Sequence, residues 1–145
     1  MKQRRKSKTK SVKSLKKKLD SLYSTYRRMS EADHQGFVRC FTCGKKLKWK
    51  QEAQLGHYIS RNYSATRYLD KNCEIQDVSC NIFKSGAKDI FALNLVKKHG
   101  EGILQELNDL KNTIKNFAPY ELEEKIAFYK DKIEELKKGK ALFTN

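Results

Sequence analysis

The stretch GFVRCFTCGKKLKWK, residues 36–50, decides how the chain is read. Apolar residues flank a Cys-x-x-Cys pair, Cys40 and Cys43, and Gly44 follows at the point where a tight turn calls for a left-handed backbone. The pattern predicts strand, turn and strand. A Cys-x-x-Cys turn is one half of a tetrahedral zinc site, and a core this small gains from a metal staple. The second half must come from further along the chain, where Cys73 and Cys80 are the remaining thiols. These two stand seven residues apart, whereas Asp77 and Cys80 repeat the three-residue spacing of the first pair. Zinc accepts carboxylate oxygen at about the distance of imidazole nitrogen, so either Asp77 or Cys73 completes a set with Cys40, Cys43 and Cys80.

Composition narrows the class. A chain of 145 residues supports one modest domain with extensions. Its formal net charge of +15, with 34% charged residues, suits a protein that binds polyanions, with DNA or RNA as the default partner. Residues 1–50 hold seventeen basic and three acidic side chains, so nearly all of the excess sits at the front. The opening MKQRRKSKTKS is expected to be a disordered basic arm over residues 1–11, with Arg4, Arg5 and Lys6 contacting phosphates. No apolar run approaches the roughly 18 residues of a membrane span, and no signal-peptide pattern follows the basic start. A cytoplasmic location is expected, in a compartment where thiols stay reduced and are better explained by metal than by disulfides.

Periodicity organises the rest. Val12, Leu15, Leu19, Leu22, Tyr26 and Met29 recur at steps of three and four, which predicts an N-terminal helix over residues 12–33. Asp33 to Gly36 then break it. Residues 55–60 suggest a further short strand, RNYSATRYLDKN (61–72) a polar loop, and Ser79 the start of a short helix. A helix over residues 87–99 should stop at Gly100, and EGILQELNDLKNTIKNF (101–117) reads as helical. Pro119 suits the first turn of a last helix, which carries Leu122, Ile126, Tyr129, Ile133 and Leu136. The fold expected is α+β, a zinc-bound core over residues 34–100 flanked by the N-terminal helix and a C-terminal helical extension over residues 101–145.

Between the two half-sites lies GHYISR (56–61), followed by Asn72 and by Cys80-Asn81 with Lys84 three residues on. This order resembles the HNH nucleases, whose ββα-metal centre sets a histidine on its first strand, an asparagine in the loop and a His or Asn at the helix start. CFTCGKK (40–46), GHYISR, KNCEIQDVSCNIFKSG (71–86) and LVKKHGEGILQEL (95–107) together resemble the phage lambda NinG (Rap) recombination proteins, over about residues 15–136. That resemblance implies a structure-specific endonuclease on branched DNA, in the host cytosol if phage-encoded. It also implies His57 as general base, Asn72 orienting it, and Asn81 helping to hold a catalytic Mg2+ or Mn2+ beside the structural Zn2+.

The chemistry asks for such groups. Phosphodiester hydrolysis builds charge on phosphoryl oxygens that a hard cation offsets, while a neutral imidazole takes the water's proton. Arg61, Arg67 and Lys84 are candidates to grip phosphates. Two positions differ from the related patterns: Gly56 stands where many HNH sites carry an acidic metal ligand, and Asp77 where related proteins usually carry a cysteine. The competing class is a zinc-knuckle module that binds DNA or RNA as a recombination accessory without cutting, and that class has no need of His57 or Asn81. A homodimer is compatible with either class.

Overall fold

The computed structural model describes residues 10–140 and 143, so Arg4, Arg5 and Lys6 of the basic arm lie outside the described residues. Its first element, α1 (Val12–Glu31), starts where the Ser11 hydroxyl accepts the Ser14 N–H at 3.2 Å. It stops two residues short of expectation. Asp33 takes over there, its carboxylate accepting the Gln35 and Phe37 N–H groups at 2.9 Å each, and Gly36 turns the chain at φ +85°. Leu15, Leu19 and Met29 of the expected stripe are buried, but Tyr23 and Arg27 are buried as well. The helix is covered on two sides, and a single stripe therefore understates it.

The residues of the opening stretch form β1 (Phe37–Arg39) and β2 (Lys46–Lys48), an antiparallel pair with Val38 opposite Leu47. Gly44 closes the turn between them at φ +76°, donating to the Cys40 carbonyl at 2.9 Å. A second antiparallel pair joins β3 (Ala53–His57) to β4 (Cys73–Asp77), with His57 opposite Cys73 and Ala53 opposite Asp77. The polar loop between them contains the short helix α2 (Ser64–Arg67) and a tight turn over Asp70–Asn72. One helical turn, Ser79–Phe83, follows β4.

Three further helices complete the α+β architecture: α3 (Lys88–His99), α4 (Ile103–Lys111) and α5 (Pro119–Gly139). Gly100 ends α3 at φ +97°, as its position suggests. α4 ends six residues before Phe117, and Ile114, which the apolar pattern would have placed on a helix face, is 88% exposed. The two terminal helices run in the same direction. Leu15 and Leu19 cluster with Leu122 and Ile126, and further along Met29 shares a cluster with Ile133. The Lys140 ammonium then donates to the Met29 and Ala32 carbonyls at 3.2 and 2.8 Å, a cation at the negative end of α1. Among the described residues no helix is long and apolar enough to cross a membrane.

Gly56 is buried in β3, and a Cβ added there would overlap Gln76 Oε1. The Gln76 side chain cannot simply swing aside. Its Nε2 donates to Thr42 Oγ1 at 3.1 Å and to the Gly86 carbonyl at 2.9 Å, and a carbonyl can only accept, so the orientation of the amide is fixed. Gly56→Ala is therefore expected to destabilise the protein by about 1–3 kcal/mol, read from the urea midpoint. Most of that loss should disappear in a Gln76→Ala background, and an undiminished loss there would show that another contact excludes the methyl group.

Candidate functional site

Two groups of side chains meet around the β3–β4 pair. The first is a metal-ligand set. The Sγ atoms of Cys40, Cys43 and Cys80 and a carboxylate oxygen of Asp77 all lie within 4.8 Å of one another. The β1–β2 turn supplies the first two, the last residue of β4 the carboxylate, and the helical turn the last thiol. The knuckle is tied to β4 directly, because the Phe41 N–H donates to the Ile75 carbonyl at 2.7 Å. Asp77 Oδ1 accepts the Cys80 N–H at 2.7 Å, and Oδ2 accepts from the Cys43 thiol at 3.6 Å.

Electrostatics in this set favour a cation. Burial works against ionising Cys40, yet the Thr42 hydroxyl at 3.5 Å and nearby backbone N–H groups bring its pKa down to about 7. Cys80 is pushed up to about 12, first by burial and then by Cys43, Cys40 and Asp77 beside it. A positive ion among these donors removes the mutual repulsion, and the thiolate is the ligating form. Cys73 is not part of the set. It begins β4 where Asp77 ends it, about 13 Å away at the rise of an extended strand, and its buried thiol faces the Arg67 carbonyl at 3.7 Å. The fourth donor is Asp77, and the alternative of Cys73 is set aside.

The second group lines a cleft of about 610 Å³ between α1, β3 and the helical turn. His57, Asn81 and Arg61 meet there, together with Asp20 and Gln54. His57 Nε2 lies 2.8 Å from the Arg67 carbonyl. Since the carbonyl can only accept, Nε2 carries the proton and Nδ1 holds the free lone pair. Burial is the main cause that pulls the His57 pKa below its ordinary value, with the Arg67 carbonyl acting the other way. Burial thus favours the neutral ring.

The expected contact between Asn72 and the imidazole is not the one formed. Asn72 is fully buried, its Oδ1 accepting the Ile59 N–H at 2.8 Å and its Nδ2 donating to the Ile59 and Thr66 carbonyls at 3.0 Å each. It clamps the loop that carries Arg67, and the Arg67 backbone orients the ring. The Arg67 guanidinium is committed as well: Nε donates to Asp20 Oδ1 at 2.9 Å and Nη2 to Asp20 Oδ2. Arg61 is more available, 59% exposed in its side chain and 3.5 Å from Asp20. Asn81 Nδ2 donates to Gln54 Oε1 at 2.9 Å. Lys84 is exposed and is not among the residues lining the cleft.

Sequence reasoning missed Asp20 and the Arg67 carbonyl. A backbone oxygen leaves no mark in a sequence. Asp20 had a faint one, the single acidic residue among the basic ones of α1 before Glu31 at its end.

Fold and site together define a small α+β protein with a Cys3Asp donor set suited to a metal ion and a polar cleft built around a neutral histidine. The family described as Bacteriophage Lambda NinG protein matches residues 1–140, and the chain belongs to it. No curated protein and no solved structure matches the chain.

The Asp20 charge is one of the influences that raise the His57 pKa. Asp20→Asn is therefore expected to lower it further, as read from an NMR titration of the ring protons. The sign for stability follows from linkage. With the folded value depressed, the contribution of the neutral ring is complete above the unfolded value of about 6.5 and is lost as pH falls through the lower folded value. A His57 pKa that rises in Asp20→Asn would contradict this account of the cleft.

Proposed function

We propose that the protein is a metal-dependent endonuclease that cuts branched DNA recombination intermediates, with His57 as general base and a structural zinc on Cys40, Cys43, Asp77 and Cys80. The observation that carries the reading is the tautomer of His57, fixed by the Arg67 carbonyl in a polar cleft shared with Asn81 and Arg61. The chain order also supports it: two antiparallel strands and a helical turn, with the histidine on the first strand and the asparagine on the turn, follow the order of an HNH ββα-metal centre. Membership of a phage family fits a recombination role.

In this mechanism His57 Nδ1 accepts a proton from water. The water oxygen bonds to phosphorus as the bond to the 3′ oxygen breaks, and solvent returns a proton to that leaving oxygen. A buried neutral ring suits the first step, because it is already unprotonated at the working pH. Arg61, exposed and lining the cleft, would hold a phosphate. Asn81 spends its Nδ2 on Gln54 and keeps its Oδ1 for a Mg2+ or Mn2+ ion, whereas the Asp20 carboxylate is spent on Arg67 and Arg61. Such an ion would be held by Asn81 with water and substrate phosphate, a ligand set that magnesium accepts. When bound, it neutralises charge on the phosphoryl oxygens.

The experiment is cleavage of labelled linear, flapped and four-way-junction DNA with added magnesium or manganese. His57→Ala is expected to abolish cutting, while the affinity for the same DNA stays within about twofold, since the base acts on water and not on the duplex. Cutting at the wild-type rate by His57→Ala would remove the mechanism. Binding without any cutting by the wild-type protein would favour the accessory binding module.

For the zinc, elemental analysis of protein prepared without chelators should give about one ion per chain, and chelation should lower the melting temperature. Cys40→Ser should lose the ion. Cys73→Ser should keep it, because that thiol lies outside the donor set.

A further inference from the structure

Val78 and the helical turn that follows it carry three large apolar side chains into solvent: Val78 at 42%, Ile82 at 56% and Phe83 at 80% exposure. An isolated exposed side chain needs no explanation, but these sit on a segment tied at both ends by hydrogen bonds. Below them Asp77 holds the Cys80 N–H at 2.7 Å, and the Asn81 amide is bonded to Gln54 at 2.9 Å. Beyond them the Lys84 N–H donates to the Ser79 carbonyl and the Gly86 N–H to the Cys80 carbonyl, each at 2.8 Å, while Gln76 grips the Gly86 carbonyl at 2.9 Å. The chain then bends through three successive left-handed residues, Ser85 at φ +51°, Gly86 at +89° and Ala87 at +46°. Two of the three are not glycine, a conformation that persists only where the surroundings impose it. A rigid support thus holds an aromatic ring away from the core.

Its position in the chain relates it to the cleft. Ile82 lines the same cavity as His57, Asn81 and Arg61, and the exposed Phe83 is the next residue in the chain. Cationic groups are near in the chain and in the cleft, with Lys84 the next residue and exposed, and Arg61 lining the same cavity as Ile82. An apolar ring on a basic rim complements a ligand that carries negative phosphates and flat apolar faces in alternation, which describes a nucleic-acid strand whose bases are unstacked. A protein partner would have to bury Lys84 and Arg61 along with the ring, at a cost in desolvation.

We propose that Phe83, backed by Ile82, is a base-contacting wedge that stacks on an unpaired or unstacked nucleobase next to the phosphate held at His57. The assignment rests on the nuclease reading for the position of that phosphate, and its own readout is stacking and not cutting. Paired linear duplex hides its base faces within the stack, whereas a branch point exposes some. The wedge would therefore give the protein a means of preferring branches that depends on geometry and not on sequence.

The test uses full-length protein carrying His57→Ala, so that bound DNA stays intact, and a four-way junction with the fluorescent base 2-aminopurine at the branch point. Binding should change the fluorescence of that base, and Phe83→Ala should abolish the change. The same variant should lower junction affinity about tenfold or more, the range expected for loss of one aromatic–base stack, and affect linear duplex much less. Phe83→Trp should restore both. At 80% exposure the ring can be removed without opening the core. Unchanged junction affinity and fluorescence in Phe83→Ala would overturn the wedge even if the His57 variant has already confirmed the nuclease. Reduced self-association in Phe83→Ala, measured by sedimentation with DNA binding unaltered, would overturn it in favour of an interface between copies. If His57→Ala proves to cut normally while Phe83→Ala loses the stacking signal, the wedge stands and only the catalytic reading falls.

Discussion

Asp77 does two jobs with its two oxygens. Oδ1 accepts the Cys80 N–H at 2.7 Å and so starts the helical turn, and Oδ2 accepts from the Cys43 thiol at 3.6 Å and so draws the knuckle onto the end of β4. Neither strand pair has more than five residues per strand, and isolated pairs of that size are marginal in water. They become one unit because the thiols and this carboxylate converge, with Cys40, Cys80 and Ile75 in the same apolar cluster. The Asp77 pKa is lowered chiefly by the Cys80 N–H bond, so its charged, ligating form is the resting one. The position of Asn81, one residue beyond Cys80, and hence one side of the cleft, follows from that closure.

How far the sequence could be read depended on whether a feature had a local cause. The knuckle, its Gly44 turn, the start of α5 at Pro119 and the stop of α3 at Gly100 each follow from one or two residues, and all are found where the sequence places them. β4 was missed because it is buried throughout. Cys-Glu-Ile-Gln-Asp shows no alternation of apolar and polar types, since Glu74 is covered and paired with Lys98 at 2.6 Å, and Gln76 is buried on its own hydrogen bonds. At the site, His57, Arg61 and Asn81 meet in one cleft, whereas Arg67 is spent on Asp20, Lys84 lies outside the lining and Asn72 makes other contacts. Asn72 is where a catalytic asparagine was expected, but the amide is used up on the Ile59 and Thr66 backbone, and a backbone oxygen does the orienting.

The glycine before His57 has a structural cause. Gln76 occupies the space a side chain at 56 would need, and it is held there by a hydroxyl on the knuckle and a carbonyl beyond the helical turn. One amide therefore links three segments, and its Oε1 is left buried without a hydrogen-bond partner among the described residues. An unpartnered buried oxygen is costly, and two hydrogen bonds that tie the knuckle to the bend at Gly86 are the gain against it. A carboxylate at position 56 is excluded by that arrangement.

The Arg67 carbonyl belongs to a loop with little apolar content of its own, and the loop owes its position to α1. Four residues on one face of that helix reach it. The Lys16 carbonyl accepts from the Tyr68 hydroxyl at 3.2 Å, Asp20 holds the Arg67 guanidinium, Tyr23 donates to Asp70 Oδ1 at 2.7 Å, and Arg27 donates to the Asp70 carbonyl at 3.2 Å. Positions 16, 20, 23 and 27 form a second stripe beside the apolar one, and its polar composition disguised it as a solvated face. The depth at which α1 sits is set from the other side, by Leu122 and Ile126 of α5 against Leu15 and Leu19. The terminal helices thus act on the cleft through packing: α5 fixes α1, α1 fixes the 61–72 loop, and one carbonyl of that loop selects the tautomer of His57.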